Sequence, residues 1–333
     1  MNTHSTPETD LTGNDDPTAR LSPLSAAELH ALEEPVQFFE TRHGARLAFH
    51  EYGDPAGAPM VFFHGAGSHV HGMLLHRPAR DHGYRIIAPD RPGIGHSAFR
   101  PGWTLLEYAR DMGDLADHLG IGQFLAVGVS GGGPTLMATA FALPERLRGV
   151  VALACVMPVA ADPEQSRDAG ASVRFTGALA ARLPLALFQW PYALLGLIIR
   201  HQPRLFARLF ASSLGAADQA IFGDPDYQRL FARDFQETFR QGARGPAYDI
   251  QTFHKPWGFS LRDIKTPTEA FQGAADRLVP PSFGQYLVTT APHVRLHTLQ
   301  GQGHLGHLAH GYRLFERIAA RFPAPPPDPG GMP

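Results

Sequence analysis

Lysine is almost missing from this 333-residue chain. Only Lys255 and Lys265 stand beside 27 arginines, a bias that fits GC-rich codon usage more than a function. Net charge is −2 and no long Lys/Arg run occurs, which excludes a nucleic-acid binder held by phosphate contacts. A single cysteine, Cys155, excludes an intrachain disulfide and a cysteine-based zinc site. No basic segment followed by an apolar one opens the chain, so no secretory signal is read and a cytoplasmic location is expected. Residues 1–34 hold no aromatic residue, seven acids and one base, Arg20. They read as a disordered acidic extension with a short helix over 25–34, where Ser25 and Glu28 have capping-box spacing. The Pro/Gly-rich end, 323–333, reads as a loose tail.

Long hydrophobic runs are also scarce. The longest, Leu183 to Ile199, lies between Arg182 and Arg200 and is interrupted by Pro184, Gln189 and Pro191. At 17 residues it falls at the lower limit for a bilayer span, and it reads as a buried or pocket-lining helical segment, with no stable membrane span expected.

What the chain has in excess is hydrophobic residues (44%), glycine (35) and proline (30). From residue 36 apolar strands alternate with helical stretches. Strands are expected at 36–41, 46–52, 60–63, 85–89, 123–129, 149–155, 268–273 and 294–299, and helices near 69–82, 104–119, 132–143, 281–291 and 305–321. The first two strands, joined at His43-Gly44, read as an antiparallel hairpin. Runs such as Val150-Val-Ala-Leu-Ala are apolar on both faces, as in parallel sheets covered by helices. Residues 157–260 lack strand signals but hold 15 of the 33 aromatics, so they read as a helical insertion.

Four motifs follow strands. Gly128-Val129-Ser130-Gly131-Gly132 runs from a strand into a helix, the setting of a nucleophile elbow. Small flanking residues let Ser130 sit on a sharp turn with its hydroxyl outward. His64-Gly65-Ala66-Gly67 can turn backbone N–H groups toward an oxygen, so the N–H of Ala66 or Gly67 with that of Gly131 could form an oxyanion hole. Gly273-Ala-Ala-Asp276 presents a carboxylate that can orient an imidazole or cap a helix. Gly301-Gln-Gly-His304 presents a candidate general base. His304, His307 and His310 are three apart, but no acidic or cysteine partner stands nearby at ligand spacing, so no metal site is expected. His69 and His71 read as surface or pocket-rim residues. The order Ser130, Asp276, His304 is the one found in α/β hydrolases.

With Asp90-Arg-Pro-Gly-Ile-Gly-His-Ser97 added to these motifs, the chain resembles a lid-bearing serine hydrolase of the α/β-hydrolase fold superfamily over residues 36–322. The resemblance implies an α/β fold with a mostly parallel eight-stranded sheet flanked by helices. It divides the chain into a core (35–156 and 261–322) and a helical lid (157–260). It also implies a Ser130-His304-Asp276 triad, an oxyanion hole of Ala66 and Gly131, a structural role for the 90–97 loop, and no cofactor. The loop after His64-Gly65 lacks the proline usual in the family. A serine nucleophile argues against the dehalogenase and epoxide-hydrolase branches, whose nucleophile resembles an aspartate. The expected substrate is a small apolar or aromatic ester, since the lid carries nine acids, eleven Lys/Arg and large side chains including Phe188, Trp190, Tyr192, Phe206, Phe210 and Trp257. Thioester, lactone and C–C bond hydrolysis stay open. So do an aminopeptidase-like activity using acids such as Asp224, Asp226 or Glu237, and a ligand-binding or signalling protein that keeps the fold. Activity is expected to rise with an apparent pKa of about 6–7 as His304 loses its proton.

Overall fold

A computed structural model of the chain describes residue 24 and residues 35–158 and 171–324. Of the expected N-terminal extension and C-terminal tail (323–333), residues 1–23, 25–34 and 325–333 lie outside the described residues, as do residues 159–170 of the insertion.

Eight strands form one sheet: β1 (Gln37–Glu40), β2 (Arg46–Gly53), β3 (Ala58–Phe63), β4 (Tyr84–Pro89), β5 (Phe124–Val129), β6 (Leu147–Leu153), β7 (Thr268–Gly273) and β8 (Val294–Leu299). Their order is β1-β2-β4-β3-β5-β6-β7-β8. β1 pairs antiparallel with β2, and β2 with β4; every later pairing is parallel. All six residues of β5 are buried, as a central strand covered on both faces requires. The strand positions read from the sequence hold within a few residues.

Among the described residues four α-helices precede β6: α1 (Val70–Met73), α2 (His76–Asp81), α3 (Leu105–His118) and α4 (Gly133–Ala142). α3 opens with a capping box, Thr104 accepting from the Glu107 N–H while Glu107 reaches back. The helix expected over 69–82 is two short ones. Pro78 has no N–H to return to the Leu74 carbonyl, so the helical ladder breaks at Leu74-Leu75.

Between β6 and β7 run α5 (Ala171–Arg182), α6 (Leu185–His201), α7 (Pro203–Ser213), α8 (Ala216–Phe222), α9 (Pro225–Thr238) and α10 (Arg244–Phe253). α10 and the turn after it pack Tyr248, Phe253 and Trp257 into the same core as Leu105, Met112 and Leu136. The insertion is therefore continuous with the body of the fold at its C-terminal end. After β7 come α11 (Pro281–Thr290), α12 (Gly306–Ala309) and α13 (Gly311–Arg321). The helical stretch expected over 305–321 thus divides at His310.

The Leu183–Ile199 run forms α6; of its two readings, burial or pocket lining, burial fails for most of the helix, while Ala193, Gly196, Leu197 and Ile199 line a cavity together with Arg233 and Phe239. Only Phe188 and Ile199 are buried on this helix, because it packs along one edge and turns Leu187, Trp190, Leu194 and Leu197 outward. Phe206 and Phe210 are packed within the insertion. They stack with Phe222, Phe231 and Phe235 in one aromatic cluster that joins α7, α8 and α9. Among the described residues no helix is long and apolar enough to cross a membrane.

Candidate active site

Ser130 directly follows β5, where the chain enters a short 3-10 turn, Ser130–Gly132, and then α4. Its φ is +53°, a left-handed value that a residue with a side chain adopts only at a cost, and that aims the side chain away from both flanking elements. The packing explains the glycines. A Cβ on Gly132 would overlap the Phe63 carbonyl oxygen, and one on Gly128 would press on Leu136 at 3.0 Å. Gly133, just beyond the motif, is equally constrained: a Cβ there would overlap the Val156 carbonyl.

The loop after β3 lies against this turn. A Cβ on Gly65 would sit 3.2 Å from that of Ser130, and one on Gly131 would sit 3.4 Å from the Ala66 nitrogen. The two backbone segments read as oxyanion donors, at Ala66 and Gly131, are thus neighbours, and the Phe253 ring stands beside them, 3.5 Å from the same Gly131 position. The loop is fixed from behind by Arg91, whose guanidinium donates to the carbonyls of His64 (2.6 Å) and Gly65 (2.7 Å) and to the Asp249 carboxylate of α10 (2.7 Å). Both carbonyls are thereby engaged as acceptors by one buried guanidinium.

Asp276 follows β7 and His304 follows β8, two and three strands from Ser130 in the sheet. His304 Nδ1 donates to Asp276 Oδ2 at 2.8 Å, and both side chains are buried. Asp276 is held by three further bonds, from Gln272 Nε2 and from the N–H groups of Leu278 and Val279. Burial disfavours the His304 imidazolium, but the charge and hydrogen bond of Asp276, with a smaller contribution from Asp218, outweigh it and raise the pKa. No hydrogen bond joins Ser130 to His304. The structure therefore brings Asp276 and His304 together, and places Ser130 on the same sheet edge with its hydroxyl unengaged by the imidazole.

Three carboxylates from the insertion reach this edge, and reading the sequence missed all of them. Asp218 of α8 accepts the N–H groups of His304 (2.9 Å) and Leu305 (2.7 Å). Asp234 of α9 accepts the N–H and hydroxyl of Ser68, both at 2.7 Å. Asp249 holds Arg91. The signals were Gly303 and Gly67: a Cβ on either would overlap the carboxylate of Asp218 or Asp234. Burial pushes Asp234 up to about 7 against the opposing pull of Ser68.

His69 and His71 are buried, not at a surface or rim, because the loop after β3 folds inward under α9. His69 bonds to Asp90 at 2.9 Å and stacks on His50 with ring centroids 3.6 Å apart. His71 meets His307, their Nε2 atoms 3.2 Å apart. Burial drives His71 down to about 3 and His307 well below its usual value, so both are neutral. Among the described residues no group of three or more His, Cys, Asp or Glu is arranged to hold a metal. The Asp90–Ser97 loop is a framework: Ser97 Oγ donates to the Asp90 carbonyl and accepts the Ala48 N–H. Asp224 caps α9, Asp226 pairs with Arg229, and Glu237 pairs with Arg240.

A doubly covered sheet with its candidate nucleophile on a strained strand-to-helix turn, and a hydrogen-bonded acid–imidazole pair further along the same edge, defines the hydrolase class of α/β architecture. The family model for the alpha/beta hydrolase fold matches residues 58–310, and the chain belongs to that family. It is 36% identical over 122 residues to haloalkane dehalogenase 2 of Mycobacterium tuberculosis; the match spans 34% of this chain and only 41% of that relative. It is 26% identical over 290 residues to a 2-hydroxymuconate semialdehyde hydrolase of Pseudomonas putida, spanning 84% of this chain and 91% of that one. Among solved structures, a thermophilic esterase from Thermogutta terrifontis superposes with a TM-score of 0.63 at 21% identity, over 86% of this chain and 97% of that one.

Proposed function

We propose that the chain is a serine hydrolase that cleaves small carboxylic esters with an apolar or aromatic group. The observation that carries this reading is Ser130 at φ +53° on the strand-to-helix turn, beside the Ala66 and Gly131 N–H groups. Ser130 Oγ attacks the ester carbonyl, and the alkoxide oxygen that develops is received by the N–H groups of Ala66 and Gly131. His304 Nε2 takes the serine proton, and Asp276 holds the ring through Nδ1 and stabilises its cation. His304 then protonates the leaving alcohol. Water, activated by the same imidazole, releases the acid from Ser130. Resting hydrolases often hold serine and histidine apart until substrate binds, which accommodates the open Ser130–His304 geometry. The Phe253 ring beside the hole suits an apolar group. A serine at the elbow, where dehalogenases resemble one another in carrying aspartate, supports ester cleavage over dehalogenation.

A second reading rests on the extent of the match to the 2-hydroxymuconate semialdehyde hydrolase, which covers most of both chains. The same groups would then serve C–C bond hydrolysis. One experiment separates the two: p-nitrophenyl esters of several acyl lengths and a 2-hydroxy-6-oxo-dienoate, each with wild type and Ser130→Ala. Ester turnover that falls by about 10⁵-fold or more in Ser130→Ala is the expected result. Wild type no faster than the variant on every ester rules the esterase reading out. Turnover of the dienoate alone moves the assignment to C–C cleavage.

A further inference from the structure

All seven large hydrophobic side chains that stand exposed among the described residues lie in one stretch of three helices. They are Phe175 on α5, Leu187, Trp190, Leu194 and Leu197 on α6, and Leu205 and Leu209 on α7. The four on α6 are spaced three, four and three residues apart, so they form a single stripe along the helix, opposite the edge that buries Phe188 and Ile199. Trp190 is the most exposed at 67%. A stripe of this size left in water is costly for a soluble surface.

The charge of the stretch says what covers it. Between Asp168 and Asp218 lie 49 residues with five arginines and no acid, in a chain that elsewhere balances 31 acids against 29 bases. Arg182 at the end of α5 and Arg200 in the last turn of α6 are exposed, and Arg204 and Arg208 are exposed beside Leu205 and Leu209. Trp and Arg also favour protein interfaces, so a second protein is the other occupant the test must separate. An acid-free apolar stripe bordered by arginines, with an indole at its centre, matches an interface of acyl chains beneath anionic headgroups. At 17 residues, with Pro191 inside it, α6 lies along such a surface and does not cross it.

We propose that the α5–α7 face docks the protein on an anionic lipid bilayer, with Trp190, Leu194 and Leu197 entering the acyl boundary and Arg200, Arg204 and Arg208 contacting the headgroups. This is independent of the reaction catalysed at Ser130.

The test uses the full chain with vesicles of phosphatidylcholine alone and of phosphatidylcholine with an equal part of phosphatidylglycerol. Flotation is expected to recover the protein with the mixed vesicles, at least about tenfold more than with phosphatidylcholine alone, and 0.5 M salt is expected to release most of it. Trp103 and Trp257 are buried, so a blue shift of tryptophan emission on adding mixed vesicles reports Trp190 and is expected to vanish in Trp190→Phe. The paired variants Trp190→Ala/Leu194→Gln and Arg204→Gln/Arg208→Gln should each lose flotation while keeping the melting temperature and turnover of a soluble ester, since none of these residues is near Ser130 in the chain or in its hydrogen-bond network. No flotation with the mixed vesicles overturns the proposal. So does flotation that survives both pairs, or a concentration-dependent dimer that Trp190→Ala/Leu194→Gln dissolves, which would give the face to a second copy.

Discussion

At the scale of single residues the site turns on the state of one imidazole. The native pKa of His304 lies above the ordinary value of 6.5, because Asp276 and Asp218 together outweigh the burial that opposes its cation. Activity that needs the neutral ring is then switched on as pH rises through a value above 6.5, higher than composition alone suggests. Asp218 gives this a direct check. Replacing it with asparagine keeps an acceptor for the His304 and Leu305 N–H groups but removes a charge that favours the imidazolium. The rising limb of kcat/KM in Asp218→Asn is expected to move to lower pH, with a loss of about tenfold or less at the plateau. A limb that stays in place would show that Asp218 acts on the loop geometry and not on the proton. The residues that carry the proposed chemistry were readable from sequence because each follows a strand and sits among glycines that turn the chain. Asp218, Asp234 and Asp249 were not, because each is donated by a helix whose placement depends on tertiary packing. Gly67 and Gly303 marked where those acids approach, but a glycine in sequence does not say whether it makes room for a turn or for a distant side chain.

At the scale of elements the insertion does more than cover the sheet edge. α8 holds the His304 loop, α9 holds the Ser68 loop and α10 holds Arg91, so three helices fix three of the loops on which the site is built. The α9 clamp carries an acid whose pKa rises from 3.8 to about 7. Such an acid binds its proton more tightly folded than unfolded. Its contribution therefore favours the native state at low pH and is lost as pH climbs from about 4 through about 7. Asp234→Asn removes the titration and keeps an oxygen for the Ser68 donors. The melting temperature of wild type relative to this variant is expected to decline by a few degrees between pH 5 and pH 8, about 2–4 °C for each kcal/mol. Thermal scans of both proteins across that range check it, and an unchanging difference would mean the clamp is ionised throughout. Strand and helix positions were legible because burial on both faces leaves an unbroken apolar run. The breaks at Leu74-Leu75 and His310 were not read: the first depends on what Pro78 removes from a ladder begun four residues earlier.

At the scale of the whole molecule the two ends of the sheet have separate tasks. Loops at the C-terminal ends of β3, β5, β7 and β8 carry the candidate site, while the opposite end is closed by the chain after α13. There the Phe322 ring fills the space over Gly149 that a Cβ would otherwise take, and the Phe322 carbonyl accepts the Tyr84 hydroxyl at 2.8 Å. Phe322 is buried in the core that includes Leu314, Phe315 and Ile318. This closure links β4, β6 and α13, and no residue of it belongs to the loops around Ser130. Phe322→Ala leaves the backbone bond to Tyr84 but opens a cavity of ring size, at a cost of about 3–5 kcal/mol. That corresponds to a melting temperature lower by about 10 °C. Below the transition, ester turnover per folded molecule is expected to match wild type, because the strained turn at Ser130 is held by Gly132 against Phe63 and by Gly133 against Val156, at the other end of β5. Scanning calorimetry with active-site titration of the soluble fraction checks both halves. A loss of turnover that parallels the loss of stability would show that the two ends of the sheet are energetically coupled through β6.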